Sequence, residues 1–233
     1  MLTQRVRAFS RAAPRVQQCA PLATTHRHLA SSASASAKSR EPPHAYEMGT
    51  ILDPLDEEAG VIGSLRSFSA STLAVVQLRS SLEGWSVPAM KAAAGEIYSE
   101  VGSALAAANE AKLKTLLTRS FFKKVLPSLR DRPKDQTQSW DILSVNPKVR
   151  NVRIGHHASN ADRRFAQVTC QIEAKVVWTV TDRKGTVVGG VGSKSEPWKV
   201  NDLVVFERCI SQPAEPPAWR MKERMSSPLA ASK

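Results

Sequence analysis

The apolar residues of the chain change their spacing near its middle. Between Ser69 and Asn109 they recur every three or four residues, as on one face of an α-helix. Between Phe165 and Thr181 they alternate with polar residues, which is typical of a strand with one buried face. Even positions from Val168 to Val180 are apolar, and odd positions apart from Val177 are polar. We therefore expect helices first and strands afterwards, with the odd face of this strand in water.

Four helices are predicted from their start signals. The first lies near Ser69–Leu82, and Ser86 caps a second one that continues to Asn109. Asn109 then begins a short helix that carries three leucines. Thr118 begins the fourth helix, over the sequence RSFFKKVLPSL, and Pro127 is expected to end or kink it.

Strands joined by turns follow the helices. Pro147 interrupts the first strand, and a proline there predicts an edge strand or a bulge. The sequence Asp182–Gly185 predicts a hairpin turn with the glycine in a left-handed backbone conformation. Further strands are expected over Lys199–Ile210 and Trp219–Lys222. Helices followed by hairpin-connected strands indicate an α+β fold, with the N-terminal helices packed on one face of an antiparallel sheet.

Positive charge is concentrated at the N-terminus. Residues 1–40 contain seven Lys and Arg residues and no Asp or Glu, in a chain of net charge +12. An Arg- and Ser-rich segment without acids is typical of a mitochondrial transit peptide, which we predict over residues 1–30. The alternative is a basic tail with no targeting role. Residues 31–68 are predicted to be an extended tail or linker, since they begin with a low-complexity, proline-containing stretch.

The sequence shows no residue pattern that suits catalysis or a cofactor. Asp141 and Glu207 are the only strand carboxylates predicted to point inward, and neither has an evident histidine partner. The pair His156-His157 is interpreted as part of a hairpin loop. Cys170 and Cys209 lack metal-ligand spacing, so they are predicted to be small buried side chains rather than zinc ligands. We therefore predict no enzyme, no cofactor, no metal and no catalytic residue.

The candidate binding residues are cations in three groups: one on and after the fourth helix, one on a predicted hairpin and one at the last strand. Such cations suit phosphates of RNA or of anionic lipids, through contacts that weaken with salt; the alternative is a solvated surface. Without stacking aromatics on an exposed strand, recognition of shape and backbone is expected rather than sequence readout. The candidates are Arg119, Lys123, Lys124, Arg130, Arg132 and Lys134; Arg150, Arg153, Arg163 and Arg164; and Arg220, Lys222 and Arg224.

Four motifs in the second half of the chain resemble the Tim44-like domain family. They are Asp182-Arg183-x-Gly185, then Pro197, then Val204-Val205-Phe206-Glu207, and finally Trp219-Arg220-Met221. Their order and spacing carry the resemblance, which is looser in the helices. The resemblance implies a domain over residues 69–225 followed by a C-terminal tail over 226–233. It also implies a cone-shaped α+β fold similar to nuclear transport factor two, with helices packed on a curved antiparallel sheet.

Structural roles are expected for the motif residues themselves. Val204 and Phe206 should point to one face of their strand and Val205 to the other, so that both faces are covered. Glu207 is expected to pair across strands with Arg220. Trp219 should close one end of the sheet. These residues are therefore predicted to maintain the fold rather than to contact a ligand.

Within that family, the resemblance is strongest to members from the large subunit of the mitochondrial ribosome and to fungal mitoribosome receptors. It implies a structural, docking protein of the mitochondrial matrix, peripheral to the inner membrane. The implied partners are mitochondrial ribosomal RNA, large-subunit proteins, the inner-membrane surface and its insertase, with no small-molecule substrate. Two alternatives stay open, an import-motor membrane scaffold and a small-molecule-binding or catalytic cone. An open, polar cavity between helices and sheet would favour the last.

Overall fold

Four helices precede five strands in the computed structural model, which describes residues 47–48, 50–52, 61–157, 160–211 and 218–226. The order confirms the predicted α+β class. The helices are α1 (Val61–Ser81), α2 (Val87–Ala106), α3 (Glu110–Leu116) and α4 (Arg119–Arg130). The strands are β1 (Thr137–His157), β2 (Asn160–Thr181), β3 (Val187–Val191), β4 (Trp198–Cys209) and β5 (Arg220–Ser226).

Side-chain caps fix the starts of α2 and α3 where the sequence predicts them. The Ser86 hydroxyl accepts a hydrogen bond from the Ala89 N–H at 3.2 Å, and the Asn109 side chain accepts one from the Lys112 N–H at 3.0 Å. Each cap satisfies an amide that the first helical turn leaves without a partner. Helix α4 covers the predicted sequence and ends at Arg130, so Pro127 lies within the helix and does not end it. A proline so close to the end removes only one backbone hydrogen bond of the last turns.

Helix α1 begins at Val61, so the interpretation of residues 61–68 as an extended tail is wrong. The helix lies beside the outer edge of β1, where the Ser71 hydroxyl accepts a hydrogen bond from the Val152 N–H at 3.0 Å. Further along, Leu78 is fully buried in the core. The sequence of α1 has a weak intrinsic helix propensity. Tertiary contacts stabilise the helix instead, because it covers the edge of β1 and buries Leu78.

The sheet is antiparallel with strand order β1-β2-β4-β5, and β3 pairs with the end of β2 that lies beyond β4. Pro147 lies on the edge strand β1, opposite Ile172, as its missing N–H requires. The turn between β2 and β3 also agrees with the prediction: the Asp182 carboxylate accepts hydrogen bonds from two backbone amides of the turn. Gly185 takes the left-handed backbone there, with a φ of 79°.

The helices pack on the even face of β2, where the main core lies. Val168, Ile172 and Val176 are fully buried there against residues of all four helices, which confirms the predicted buried face. Val204, Val205 and Phe206 of β4 are also fully buried, and Val205 lies on the opposite face, as expected. The sheet is therefore covered on both sides over part of its area.

The odd face of β2 is only partly in water, which corrects the prediction for that strand. Gln167 and Thr169 are buried, and the chain at residues 47–48 and 50–52, here called the strap, lies against this face at Gln167. The Leu52 N–H donates to the Gln167 side chain at 2.7 Å, and that side chain donates to the Thr50 carbonyl at 2.8 Å. Towards the other end of the strand, Lys175 remains exposed.

Candidate functional site

Three exposed cations form a stripe along α4. Successive helical residues are about 100° apart, so Arg119, Lys123 and Arg130 share one side of the helix over a length of about 16 Å. All three are exposed, and we call them the α4 stripe. Leu129, about 100° around the helix from Arg130, is buried. The amphipathic pattern of α4 therefore places these cations together on the surface.

Glu47 of the strap contributes the first anion beside this stripe. Its carboxylate accepts hydrogen bonds from the Ser120 N–H at 2.9 Å and from the Ser120 hydroxyl at 3.1 Å. Thr118 occupies the cap position of α4 without a side-chain cap bond, so Glu47 takes over that role from a distant part of the chain. An anion at a helix N-terminus is favourable because the first amides point towards it. Sequence reasoning missed this contact, since nothing local to α4 signals it.

The other cations of the first group have different surroundings. Lys124 forms an exposed ion pair with Glu223 of β5 at 2.6 Å. Arg132 is half-buried, donates to the Ala106 carbonyl at 3.1 Å, and has its pKa lowered by burial. Lys134 is exposed in the loop before β1. Surface charge in this group therefore comes mainly from the α4 stripe and Lys134.

The second group follows the β1–β2 hairpin but does not form one patch. Arg150 donates to the side chain of Gln171 across the strands at 2.7 Å. Arg153 donates to the Ser67 hydroxyl at 2.7 Å and so joins β1 to α1. Arg163 is half-buried and Arg164 is exposed near the hairpin end. The hairpin end therefore offers fewer accessible cations than the sequence predicts.

The third group is not a surface cluster. Lys222 is buried and forms an ion pair with Glu207 at 3.0 Å, so it is withdrawn as a contact for RNA or lipid. The Arg224 guanidinium contacts Asp202 at 2.8 Å. Arg220 lies opposite Glu207 in register, as expected, and is half-buried. The register of β5 shifts between Val205 and Phe206, which leaves Lys222 as the extra residue of a bulge, and its side chain pairs with Glu207.

The strap completes the coordination of that buried pair. The Met48 N–H donates to Glu207 Oε1 at 3.1 Å, and the Lys222 ammonium donates to the Met48 carbonyl. Gln167 Nε2 donates to Glu207 Oε2 at 2.8 Å. Burial raises the pKa of Glu207, while Lys222 and these hydrogen bonds oppose the rise. The arrangement is a fully bonded structural pair that fixes the strap, and Glu207 faces away from the helices rather than into the core.

A second buried carboxylate, Asp202, faces the helices and was missed from the sequence. It accepts a hydrogen bond from the Tyr98 hydroxyl of α2 at 2.8 Å and pairs with Arg224. Burial raises the pKa of Tyr98, which holds the hydroxyl protonated as a donor. The signal was present, because Asp202 lies in phase with the inward positions Val200 and Val204. Asp141, the other carboxylate predicted to face inward, is exposed.

A cavity of about 420 Å³ lies between the helices and the open end of the sheet. Its lining includes Leu117, Phe121, Trp140 and Trp178 together with a few polar side chains. Three of those polar groups bond to the protein: Tyr98 and Arg224 to Asp202, and Arg132 to a main-chain carbonyl. The cavity therefore has mainly apolar walls and does not hold the open acid–base pair that a catalytic cone needs.

Two cysteines occupy the described strands as free thiols. Cys170 is fully buried on the core face, and burial raises its pKa to about 12. A thiol with such a pKa stays protonated and unreactive at neutral pH. Cys209 is half-buried near the hairpin end. Within the described ranges, no group of three or more His, Cys, Asp and Glu side chains is placed to hold a metal ion.

The chain has matches in a protein-family model, in a related sequence and in a solved structure. A model of the Tim44-like domain family matches residues 71–225. The chain is 28% identical over 163 residues to a Drosophila melanogaster protein named large ribosomal subunit protein mL45, an alignment that covers 69% of this chain and 43% of that protein. The chain thus spans less than half the length of this relative. The crystal structure of the intermembrane space region of chloroplast protein ARC6 aligns with a TM-score of 0.33 and 13% identity, over 57% of this chain and 92% of that one.

Among the helices described here, none combines the length and apolar content needed to cross a membrane.

Proposed function

Because the chain belongs to the Tim44-like domain family, whose model matches residues 71–225, we propose that it is a docking protein of the mitochondrial large ribosomal subunit. In this role it helps to hold the exit site of the ribosome at the inner membrane during insertion of new proteins. The observation that carries the proposal is the 28% identity to a large ribosomal subunit protein over 69% of the chain. Family membership also accounts for the motifs at Asp182–Gly185 and Val204–Glu207.

The exposed cations supply the means of docking. Half-buried Leu126 lies on the same side of α4 as the stripe, between Lys123 and Arg130, and the exposed cations of this surface are the α4 stripe and Lys134. Their spacing suits contacts to successive phosphates of ribosomal RNA, with no need to read base sequence. Arg164 adds a cation near the end of the β1–β2 hairpin. Neighbouring large-subunit proteins and the insertase complete the proposed set of partners.

The proposed location is the mitochondrial matrix, at the surface of the inner membrane. The acid-free N-terminal segment supports import into the mitochondrion. The role is structural and involves no catalysis, since the buried carboxylates Asp202 and Glu207 are bonded to protein groups. An import-motor scaffold in the same family would instead bind the matrix chaperone and the translocase.

Co-sedimentation with mitochondrial large ribosomal subunits over a series of salt concentrations tests the proposal. The wild-type protein should bind, with an affinity that falls as salt rises. Reversing the α4 stripe with Arg119→Glu, Lys123→Glu and Arg130→Glu should weaken binding and reduce the slope of log affinity against log salt by about 2 to 3 units, one for each lost phosphate contact.

A matched control reverses three exposed cations elsewhere, Arg79→Glu, Lys91→Glu and Lys194→Glu. This variant has the same net charge, so it should bind like the wild type if the α4 stripe makes the contact. Equal weakening in both variants would mean that only net charge matters. Recovery of matrix chaperone and translocase subunits in place of ribosomal subunits would overturn the proposed function in favour of the import scaffold.

A further inference from the structure

The strand β3 exposes aliphatic side chains at both of its ends. Val187 is 65% exposed and Val188 is 54% exposed, and Val191 and Trp198 are also exposed. Strand β3 pairs with residues 178–181 of β2, whereas β4 pairs with residues 165–176 of the same strand. We call residues 178–191 together with Trp198 the β3 hairpin. A contiguous group of exposed apolar side chains is a candidate contact surface.

The apolar side chains of the β3 hairpin lie on both faces of the sheet. Val187 is in register with Thr181 and Val191 with Trp178. On β2, Thr181 and Trp178 are three residues apart and therefore point to opposite faces of the sheet. Each valine lies on the same face as its partner, so Val187 and Val191 also point to opposite faces. A flat protein partner would cover one of these faces and leave the other in water. The interface of a bilayer can surround both.

The main chain of β3 is poorly suited to pairing with a partner strand. Gly190 has a φ of 143°, and a Cβ there would lie 2.3 Å from the Trp178 carbonyl oxygen. The register also shifts between Val180 and Thr181. Irregularities of this kind twist an edge strand and prevent further strands from adding to it. The exposed valines are therefore the feature that a partner would recognise.

Cations accompany these valines. The turn carries exposed Arg183 and Lys184, while Asp182 in the same turn accepts hydrogen bonds from the N–H groups of Lys184 and Thr186 at 2.8 and 2.9 Å. Lys175 and Lys199 are both exposed and face each other directly across β2 and β4. Like charges opposite each other destabilise a strand pair, and an anionic ligand relieves that repulsion.

We propose that the β3 hairpin is the element through which this protein contacts an anionic phospholipid bilayer. Val187 and Val188 enter the interface, and Trp198 lies at the level of the headgroups, where its amphipathic ring is favoured. The cations of the turn and the Lys175–Lys199 pair bind headgroup phosphates. This assignment rests on the proposed function, which places the protein at the inner membrane, and it names the surface that faces the lipid.

Helix α1 presents a second group of exposed apolar side chains among the described residues, and it serves as the internal comparison. Phe68, Leu73 and Val76 are exposed on it. Ser69 and Thr72 lie beside Phe68 and Leu73, and among the helix side chains that the structure describes a single exposed cation, Arg79, lies one turn beyond Val76. The β3 hairpin combines apolar and cationic side chains, which is the combination that an anionic bilayer interface favours.

The test uses the full chain with a fluorophore at one position, so that binding by the basic N-terminus does not obscure the result. The native cysteines are replaced by alanine, and the label is attached after Val188→Cys or, in the comparison protein, after Phe68→Cys. Vesicles contain phosphatidylcholine alone or mixed with phosphatidylglycerol, with brominated acyl chains as quenchers. We expect quenching at position 188 in the mixed vesicles and little at position 68. Quenching at 68 alone, or at neither position, would overturn the proposal.

A second measurement separates this proposal from the ribosomal one. Val187→Ser with Val188→Ser should reduce affinity for the mixed vesicles about tenfold or more, and leave co-sedimentation with large subunits unchanged. Lys175→Gln with Lys199→Gln should reduce the preference for phosphatidylglycerol without lowering the melting temperature.

If the serine variant instead loses subunit binding and keeps vesicle binding, the hairpin contacts the ribosome and the proposal fails. If the protein labelled at position 188 is quenched by lipid but the wild type does not sediment with subunits, the proposed function fails and the hairpin assignment stands.

Discussion

Glu207 and Lys222 show how a single buried pair can hold a distant segment of the chain in place. Their side chains are only 3% and 5% exposed, and their charged atoms are 3.0 Å apart. Met48 bonds to both of them through its main chain. A carboxylate and an ammonium group lose their hydration on burial, so each depends on the other and on these hydrogen bonds.

Removing one charge of this pair should strongly destabilise the protein. Glu207→Gln leaves the Lys222 ammonium buried without a counter-ion, and we expect a loss of about 3–5 kcal/mol in the free energy of unfolding. Urea unfolding monitored by circular dichroism measures this value. The double variant Glu207→Leu with Lys222→Met should lose less than Glu207→Gln alone, because no unpaired charge remains. A double variant that is less stable than the single one would contradict this explanation.

At the scale of single elements, helix α2 contains two glycines with different surroundings. Glycine weakens a helix by about 1 kcal/mol relative to alanine, so both positions have a low intrinsic propensity. A Cβ at Gly102 would lie 2.2 Å from the indole nitrogen of Trp140, whereas at Gly95 its nearest neighbour would be the Pro147 Cγ at 3.4 Å. Gly102 therefore allows the helix to approach β1 closely, and Gly95 meets only ordinary contacts.

The two alanine substitutions should consequently have opposite effects. Gly95→Ala should raise the free energy of unfolding by about 0.5–1 kcal/mol, the gain in helix propensity. Gly102→Ala should lower it by about 1 kcal/mol or more, because Trp140 must move and the core loses packing. Thermal unfolding of the two variants under identical conditions provides the measurement. Stabilisation by both substitutions would show that Trp140 moves aside without loss.

For the whole molecule, the strap joins parts of the fold that are far apart in sequence. Glu47 bonds to the start of α4, Met48 to β4 and β5, and Leu52 to β2. Gly155 of β1 leaves room for it, since a Cβ there would lie 2.6 Å from the Met48 Cε. The strap thus contacts β1, β2, β4 and β5, and it also caps the start of α4.

Two truncated proteins test the contribution of the strap. The chain that lacks residues 1–52 should be less stable than the chain that lacks residues 1–46, by roughly 2–4 kcal/mol. This range reflects several hydrogen bonds and the burial of Met48, reduced by the entropy of ordering the segment. Chemical unfolding of both proteins gives the difference. Equal stability would show that the strap rests on the sheet without stabilising it.

The local features of the fold could be predicted from the sequence because they depend on residues close together in the chain. Ser86 and Asn109 cap helices through amides three residues away. Asp182 and Gly185 define a turn within five residues. The alternating spacing of β2 identifies its core face, and the ordered motifs from Asp182 to Met221 identify the family.

The candidate site could be predicted only in part, since the sequence identifies cations but not their surroundings. The α4 stripe is exposed where the helical spacing places it. Lys222 carries the same charge and lies in an equally basic stretch, yet a bulge in β5 directs it into the protein. Arg153 is likewise held against α1. Whether a cation is accessible or structural depends on its tertiary contacts. These contacts cannot be read from the sequence.

The sequence by itself determined the period of each element, its caps and turns, its core face and its family. Tertiary structure alone decided that the odd face of β2 is half covered, that Glu207 pairs with Lys222, and that α1 begins at Val61. The physical reason is distance along the chain. Met48 lies 159 residues from Glu207 and 174 from Lys222, so neither contact leaves a periodic signal in the sequence. Such contacts form only when burial brings the whole sheet, the helices and the strap together.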